Sequence, residues 1–324
     1  MKSLVLFVLL LLTLKSPGQE MSGGDDFFQN APPEVSLFAD GTVSTFLNER
    51  DFAISNDGKE IYFTISGPRG SNQTIVHCRK DNSGKWTRPE VVSFSGRHDD
   101  LEPAFSFDGN TLFFASNRPN AFEKKNFDLW KVSRTGNGWS EPENLGNIVN
   151  SPADEFYPSV AENGNIYFTA SHAGGPGKED IYMAKFHGKY EKPVALDSAI
   201  NSKSYEFNAF VSSNENLILF TSYGRSDDMG GGDLYISVKN DKGEWLPAKN
   251  FTILNSSALD YCPYMTRDGA ALFFTSERHN LPKSFTNTSA TYRDIISLNT
   301  MTLNGTGNIY WINSGVIKKY FVLE

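Results

Sequence analysis

Acidic residues recur at one position of a repeated pattern, and their carboxylates are the side chains of this chain best placed to do chemistry. Nine residues before the turn glycine in four repeats stand Glu49, Asp100, Glu155 and Asp260, and Glu206 is the corresponding acidic residue of the fourth repeat. Two positions further along stand Asp51, Glu102, Tyr157, Asn208 and Cys262. The first column predicts a ring that attracts a cation or a basic partner group, and its like charges would raise one another's pKa unless compensated.

An architectural interpretation of the first column is equally specific. A carboxylate repeated in every unit is typical of a turn cap or an ion pair, whereas catalysis needs a residue only once. Arginines that could pair with the column recur as well, at Arg69, Arg118, Arg225 and Arg278. The second column varies between repeats and is therefore more informative about function. The predicted ligand-binding residues are Glu49, Asp51, Asp100, Glu102, Arg118, Glu155, His172, Glu206, Asp260 and Arg278.

Motifs for metal binding or nucleophilic catalysis are weak. His98, His172 and His279 fall on the same predicted face, but they come from different repeats and lack a His-x-His spacing. The sequence has no Gly-x-Ser-x-Gly turn and no glycine-rich phosphate loop before a helix. We therefore predict no cofactor, no metal and no assigned catalytic residue. Glycoside hydrolysis stays open, because it needs only two carboxylates about 5 to 10 Å apart.

The elements that position these residues are short strands in a repeat of about fifty residues. Aromatic-rich cores recur at 61–63, 112–114, 166–168, 218–220 and 272–274. Ahead of the cores lie turns such as Ser55-Asn56-Asp57-Gly58 and Thr266-Arg267-Asp268-Gly269. Asp-Gly between apolar runs is a strong hairpin signal, because glycine accepts a positive φ. The fourth turn, Ser213-Asn214-Glu215-Asn216, lacks the glycine, which predicts a looser turn there.

Each repeat holds two further strands, so four antiparallel strands form one unit. The third strands open with motifs such as Asp128-Leu129-Trp130, and outer strands follow Gly-x-aromatic turns such as Gly84-Lys85-Trp86. Such a unit is one blade of a β-propeller, which buries its faces only against neighbouring blades. The predicted fold class is all-β, a five-bladed β-propeller, with a sixth blade as the alternative. The fifth repeat lacks its outer strand, and we predict that Pro33–Phe38 supplies it and closes the ring.

These motifs resemble the WD40-like propeller repeats of the TolB type. The best copy runs from Asp100-Leu101-Glu102-Pro103 through Ser116-Asn117-Arg118 to Asp128-Leu129-Trp130. The resemblance covers about residues 33–320 and implies a fold much more than an activity, since the family includes periplasmic scaffolds, propellers attached to peptidases and a few polysaccharide-degrading enzymes. Sialidase Asp boxes differ, because they need a residue between Asp and Gly and a following Trp.

The first residues predict export. Lys2 precedes the apolar run Leu4–Leu14, which is too short to span a bilayer, where about 20 residues are needed. The predicted organisation is a signal peptide (1–19), a linker (20–32) and one propeller (33–324) with an insertion at about 279–306. Within the insertion, Thr291 and Asp294 fit a helix capping box, with a disordered loop as the alternative.

Composition limits the partners. The 324-residue chain has a net charge of −8, which becomes −10 without Lys2 and Lys15 and has the wrong sign for nucleic-acid binding. The turn-rich face offers little room for a site, so we place the site at the opposite channel mouth. The predicted function is a secreted or periplasmic, monomeric, non-catalytic module that binds a protein or an envelope glycan. The alternative is a carbohydrate-active enzyme, a polysaccharide lyase or glycoside hydrolase, with its site at that mouth.

Overall fold

The structure of the protein, a computed structural model, is a ring of five antiparallel blades. It describes residues 28–120, 126–136, 138–172, 174–282 and 289–323. A 3-10 helix at Phe28–Asn30 and strand β1 (Ser36–Leu37) precede the first blade. That blade consists of β2 (Asn48–Ile54), β3 (Glu60–Ser66), β4 (Thr74–Arg79) and β5 (Glu90–Val91), with a 3-10 turn at Pro68–Gly70. The second consists of β6 (Asp100–Phe105), β7 (Thr111–Ser116), β8 (Asp128–Thr135), β9 (Gly138–Trp139) and β10 (Glu143–Asn144).

The remaining blades repeat this arrangement. The third consists of β11 (Glu155–Val160), β12 (Ile166–Ala170), β13 (Asp180–Ala184) and β14 (Val194–Ala195). The fourth consists of β15 (Tyr205–Val211), β16 (Leu217–Tyr223), β17 (Asp233–Val238) and β18 (Lys249–Asn250). The fifth consists of β19 (Asp260–Met265), β20 (Ala271–Ser276), β21 (Asn308–Asn313) and β1. The first strands β2, β6, β11, β15 and β19 pack against one another in turn and surround the axis.

The N-terminal strand closes the ring, as the sequence predicts. Ser36 and Leu37 of β1 pair with Trp311 and Tyr310 of β21. Phe38 follows directly and is buried, with its ring centroid 5.1 Å from that of Phe273 and 5.4 Å from that of Trp311. Because β1 belongs to the fifth sheet, both chain ends contribute to one blade and the ring has five blades.

The fourth hairpin turn is not looser than the others, so that prediction is wrong. Glu215, rather than Asn216, occupies the glycine position: its φ is 56°, close to the 71° of Gly58, and its N–H bonds to Ser212 O at 2.9 Å. The Glu215 carboxylate accepts hydrogen bonds from Asn163 and Tyr167 of the neighbouring blade. These bonds hold a non-glycine residue in a left-handed conformation that is otherwise disfavoured.

The Gly-x-aromatic motifs stabilise the outer edge of the blades. Lys80 lies 5.3 Å from the ring centroid of Trp86, and Lys239 lies 4.7 Å from that of Trp245. A cation over an aromatic face contributes about 0.5 to 1 kcal/mol at an exposed site. The motif therefore has a structural explanation.

Two helices lie outside the repeat. Helix α1 (Tyr292–Thr300) lies in the insertion of the fifth blade and has the capping box that the sequence predicts, with Thr291 and Asp294 bonded reciprocally. Helix α2 (Gly315–Leu323) is a feature that the sequence analysis missed. Its Tyr320 packs on Phe251 of the fourth blade, at 4.9 Å between ring centroids. Helix α2 therefore covers the junction of the fourth and fifth blades.

The capping box gives a first prediction. Thr291→Ala removes the side-chain acceptor for Asp294 N–H, and no side chain of α1 is buried to compensate. The loss is expected to be about 1 kcal/mol and confined to the helix. Amide hydrogen exchange should accelerate in 292–300 while the strands keep their protection; unchanged exchange in the helix would contradict the assignment.

None of the helices in the described parts of the chain is long and apolar enough to cross a membrane. The predicted signal peptide at 1–19 lies outside the described residues. Of the predicted linker, residues 28–32 are described, and Phe28 and Ala31 are buried in the core between the first and fifth blades.

Candidate functional site at the propeller axis

The first acidic column caps the turns that lead into the innermost strands. Glu206 accepts hydrogen bonds from the backbone N–H and hydroxyl of Ser202, at 2.8 and 2.6 Å. Asp260 accepts the same pair from Ser256, and Glu155 from Ser151. All five carboxylates of the column are buried. Glu49, Glu155, Glu206 and Asp260 therefore hold their blades to the preceding loops, which is the architectural interpretation of the column. Asp100 is bonded instead to Ser116 and Arg118 of its own blade.

Arginines neutralise three of these carboxylates. Arg118 lies 2.6 Å from Asp100, Arg225 lies 2.9 Å from Glu206, and Arg278 lies 2.7 Å from Asp260. Each guanidinium also lies over aromatic rings of the second and third strands of its own blade: Phe114 and Trp130, Phe220 and Tyr235, Phe274 and Tyr310. The aromatic cores and the arginines thus form one repeated structural unit.

The first and third blades depart from this pattern. Glu155 bonds to His172 at 2.7 Å instead of to an arginine, and Glu49 bonds to Thr45 and to Asn308. Arg69 is exposed in the first blade. Burial raises the pKa of both Glu49 and Glu155, although the hydrogen bonds they accept act in the opposite direction.

If His172 substitutes for the repeated arginine, His172→Arg should be tolerated better than His172→Ala. Alanine removes one hydrogen bond to a buried carboxylate, and the free energy of unfolding should fall by about 1 kcal/mol. Arginine should restore most of the lost stability, because the rings of Phe168 and Tyr182 lie beside His172 and could pack against a guanidinium. Urea unfolding measures the stability of the two variants. Equal losses of stability in both would show that His172 does not take the place of the repeated arginine.

The second column is brought together at the axis by five β-bulges. The register of each innermost strand shifts at this point, for example between Arg50 and Ala53 and between Leu101 and Ala104. The first bulged residue of each strand has a positive φ; these residues are Asp51 (63°), Glu102 (61°), Tyr157 (49°), Asn208 (50°) and Cys262 (52°). A non-glycine residue in this region costs roughly 1 to 3 kcal/mol, and such strain is often found at functional sites.

Arg50, which is partly exposed, joins these largely buried side chains into one cluster. Its Nε donates to Asp51 at 2.7 Å and its Nη2 donates to Glu102 at 2.9 Å. The thiol of Cys262 donates to Asp51 at 2.8 Å, and the Asn208 amide donates to Glu102 at 3.2 Å. We call Arg50, Asp51, Glu102, Tyr157, Asn208 and Cys262 the axial cluster.

Glu102 also has a backbone role. The bulged N–H groups of Glu102 and Asn208 bond to threonine hydroxyls of the preceding blade, Thr64 and Thr169. The corresponding residue in the second blade is Ala115, which offers no hydroxyl, and Glu102 Oε2 accepts the Tyr157 N–H at 2.6 Å in its place. The carboxylate thus satisfies a backbone donor that the bulge would otherwise leave unpaired.

The electrostatics of the cluster are dominated by burial. Burial and the nearby Asp51 raise the pKa of Glu102 to about 8, against the opposing effect of Arg50. Burial also raises the pKa of the Cys262 thiol, with Asp51 adding to the effect. Asp51 Oδ2 is buried without a hydrogen-bond partner among the described residues. One guanidinium therefore faces two carboxyl groups, and the raised pKa of Glu102 lets it retain its proton near neutral pH.

Apolar side chains, most of them aromatic, lie near the axis next to the residues of the first and second columns. Phe156, Phe207 and Leu259 are partly exposed and pack against Tyr157, Tyr261 and Cys262. Tyr261 lies beneath Arg50, 5.2 Å from its ring centroid to the guanidinium carbon. We call Phe156, Phe207, Leu259 and Tyr261 the mouth collar. It lies where the innermost strands begin, next to the axial cluster.

The sequence analysis missed Arg50 and the collar, because both lie outside the two columns of predicted site residues. A signal was present: Arg50 is the single basic residue in the series Arg50, Leu101, Phe156, Phe207 and Tyr261. The histidines do not come together. His172 bonds to Glu155, His279 accepts from Leu281 N–H, and His98 is exposed. The described residues hold no group of three or more His, Cys, Asp or Glu side chains suited to a metal ion.

The turn-rich face has more room than the sequence suggests. A cleft of about 410 Å³ lies there between the first two blades, lined by Glu60, Arg79, Asp108 and Arg134 among others. Glu60 accepts hydrogen bonds from both Arg79 and Arg134, so the main charged groups of this cleft are already paired with one another. We therefore keep the axis and its collar as the candidate site.

These features define the chain as a five-bladed β-propeller. No model of a protein family matches it, and no curated protein matches it. Among solved structures, a glycoside hydrolase has a TM-score of 0.55 and 11% identity, covering 88% of this chain and 92% of that one.

TolB structures are also among the matches. A putative TolB from Agrobacterium tumefaciens has a TM-score of 0.47 and 15% identity, covering 82% of this chain and 90% of that one. TolB from Acinetobacter baumannii has a TM-score of 0.46 and 13% identity, covering 82% of this chain; this chain spans 54% of its length. At these identities the similarity concerns the fold.

Proposed function

We propose that the protein is an exported, non-catalytic binding module that presents its mouth face to a protein or an envelope glycan. The observation that carries this proposal is the state of the axial carboxyl groups. Asp51 and Glu102 are only 1% and 3% exposed, and both are bonded to Arg50. Carboxylates that are buried and paired in this way lack the access that a catalytic pair needs.

The surface above them is suited to binding. Phe156 and Phe207 of the collar are partly exposed. Tyr205 and Tyr223 pair across the start of β15 and the end of β16, with 6.0 Å between their ring centroids. Aromatic residues with a few polar groups are typical of binding sites for proteins and small ligands. The acidic composition of the chain agrees with this, because it excludes the phosphate contacts of nucleic-acid binders.

Capture of partners from envelope extracts tests the proposal. The bait is the exported chain in three forms: wild type, Phe156→Ser/Phe207→Ser at the mouth, and Val91→Ser/Val194→Ser at the outer edge. Val91 and Val194 are exposed apolar residues of β5 and β14, so this control removes similar apolar surface away from the axis. A partner captured by the wild type and the control but not by the mouth variant is the expected result. Retention by the mouth variant would contradict the proposal.

A carbohydrate-active enzyme is the second candidate. The observation in its favour is a pair of unlike carboxyl groups at the axis, with the pKa of Glu102 raised to about 8 beside Asp51. Unlike environments for two carboxyl groups are what acid and base catalysis of glycoside cleavage needs. Turnover of a neutral or acidic polysaccharide that is lost in both Asp51→Asn and Glu102→Gln would favour this candidate, and a panel with and without chelator would separate hydrolase from lyase chemistry.

A further inference from the structure

The mouth collar is flanked by carboxylates that the fold itself does not use. Glu179 immediately precedes β13, and Glu277 immediately follows β20. Both lie in loops between second and third strands, which are on the mouth face. The Glu277 N–H bonds to the carbonyl of Leu259, and the Glu179 carbonyl accepts the N–H of Glu206, next to Phe207. The backbone of each residue is therefore bonded to a collar residue or to the direct neighbour of one.

These two carboxylates differ from the acidic ring. Both are partly buried, and neither has a side-chain hydrogen bond or ion pair among the described residues, whereas Asp100, Glu206 and Asp260 each have an arginine. Burial raises the pKa of Glu179 and of Glu277; Asp154 adds to the effect on Glu179, whereas for Glu277 the nearby Arg50 opposes it and Asp260 adds to it. Glu179 and Glu277 are thus partly desolvated acidic groups outside any ion pair among the described residues, although Glu277 lies within electrostatic reach of Arg50.

A third unsatisfied acidic group lies beneath the collar. Asp51 is 1% exposed, and its Oδ2 has no donor within the described residues even though Oδ1 is bonded to Arg50 and Cys262. Asp51 therefore keeps one acceptor position at the axis that no described side chain or backbone group uses. Arg50 also shows how a cation is held at the axis: its guanidinium is bonded to carboxylates and lies over the ring of Tyr261.

We infer that the mouth collar docks a segment of a partner protein that places a lysine or arginine side chain between apolar residues. Its apolar residues would pack on Phe156 and Phe207, and its cation would pair with Glu179 or Glu277. A cation gains from both an opposite charge and an aromatic face when it leaves water, so the two features act together. The inference rests on the proposed binding function and specifies its partner as a basic protein segment, since an acidic glycan or nucleic acid would be repelled by the same carboxylates.

Selection from a random dodecapeptide phage library on the immobilised full chain provides the test. The expected result is enrichment of peptides with Lys or Arg beside an aromatic or aliphatic residue. Fluorescein-labelled copies of one selected peptide, with its basic residue kept or changed to Glu, are then titrated by fluorescence anisotropy. The Glu version should bind on the order of tenfold or more weakly, and affinity for the basic version should fall with salt.

The protein variants identify the site. Glu179→Gln/Glu277→Gln should weaken the basic peptide on the order of tenfold. The matched control Glu34→Gln/Glu141→Gln changes two exposed acidic residues away from the mouth and should leave the affinity unchanged. Enrichment of neutral or acidic peptides, equal binding by the two double variants, or no enrichment would each overturn the inference. In that case, capture of a partner through Phe156 and Phe207 in the envelope experiment would still support the binding function. Failure of the inferred basic segment is therefore distinguishable from failure of the proposed function.

Discussion

Arg50→Met is expected to lower the free energy of unfolding by about 3 to 5 kcal/mol, because removing one partner of a buried ion pair leaves the other charge uncompensated. The guanidinium is the one cation bonded to both Asp51 and Glu102 at the axis, among the residues that the structure describes. Methionine keeps much of the apolar stem but leaves two buried carboxyl groups without their partner. Asp51 would retain only the weak thiol donor of Cys262. Urea denaturation monitored by tryptophan fluorescence measures the loss.

Two further variants give this prediction its control and its mechanism. Arg69→Met removes an exposed arginine that has no part in the axial cluster. It should change stability by no more than about 0.5 kcal/mol. Arg50→Met/Asp51→Asn removes the charge that the first substitution leaves unpaired, and it should recover a substantial part of the loss. A small effect of Arg50→Met, or no recovery in the double variant, would show that the axial cluster is solvated and not a buried ion pair.

The fold could be predicted because each repeat contains, close together in sequence, the residues that form its turns. The hydroxyl of Ser55 bonds to Asp57, and the equivalent pair Thr266 and Asp268 does the same, so each Asp-Gly turn forms from residues adjacent in sequence. The closing strand could also be found, since Pro33–Phe38 has the pattern of an outer strand. Features that occur once were harder. Helix α2 has no counterpart in the described parts of the other blades, and the turn at Glu215 depends on bonds to Asn163 and Tyr167, which are about fifty residues away in sequence.

The site was predictable only in part, for a geometric reason. The columns at Glu49 and Asp51 follow from counting, and the variable second column was the informative one. In a regular strand the side chains of the second column would not point toward the axis, as they do in these strands. The bulges do so by setting residues such as Asp51 and Glu102 in left-handed conformations, which nothing in their residue types favours. Arg50 then connects blades whose contributions lie about fifty residues apart in sequence.

The axial cluster also predicts that stability falls as pH rises from about 5 to about 8. Burial raises the pKa of Glu102 to about 8 in the folded chain, from an ordinary value of 4.5. Between these values the folded chain holds a proton that the unfolded chain has lost. The stabilising contribution of Glu102 is therefore complete below the lower value and disappears as pH passes the higher one. One such proton corresponds to a slope of about 1.4 kcal/mol per pH unit, and burial raises the pKa of Glu49 and Glu155 in the same direction.

Glu102→Gln separates the contribution of this residue from the others. Glutamine cannot titrate, so the pH slope of the variant should be shallower than that of the wild type by about one proton. Its amide must also point an N–H at Tyr157 N–H or at the donors Arg50 and Asn208, so the variant should be less stable than the wild type at pH 6. This difference should shrink toward pH 8.5, where the wild type has an ionised Glu102 in a buried site. Urea unfolding at pH 5.5, 7 and 8.5 measures both slopes, with Glu141→Gln as the exposed control. Parallel curves for the wild type and Glu102→Gln would mean that Glu102 is already ionised in the folded chain. Arg50 would then compensate both carboxylates fully, and the acidic pair would lose the asymmetry on which the enzymatic alternative depends.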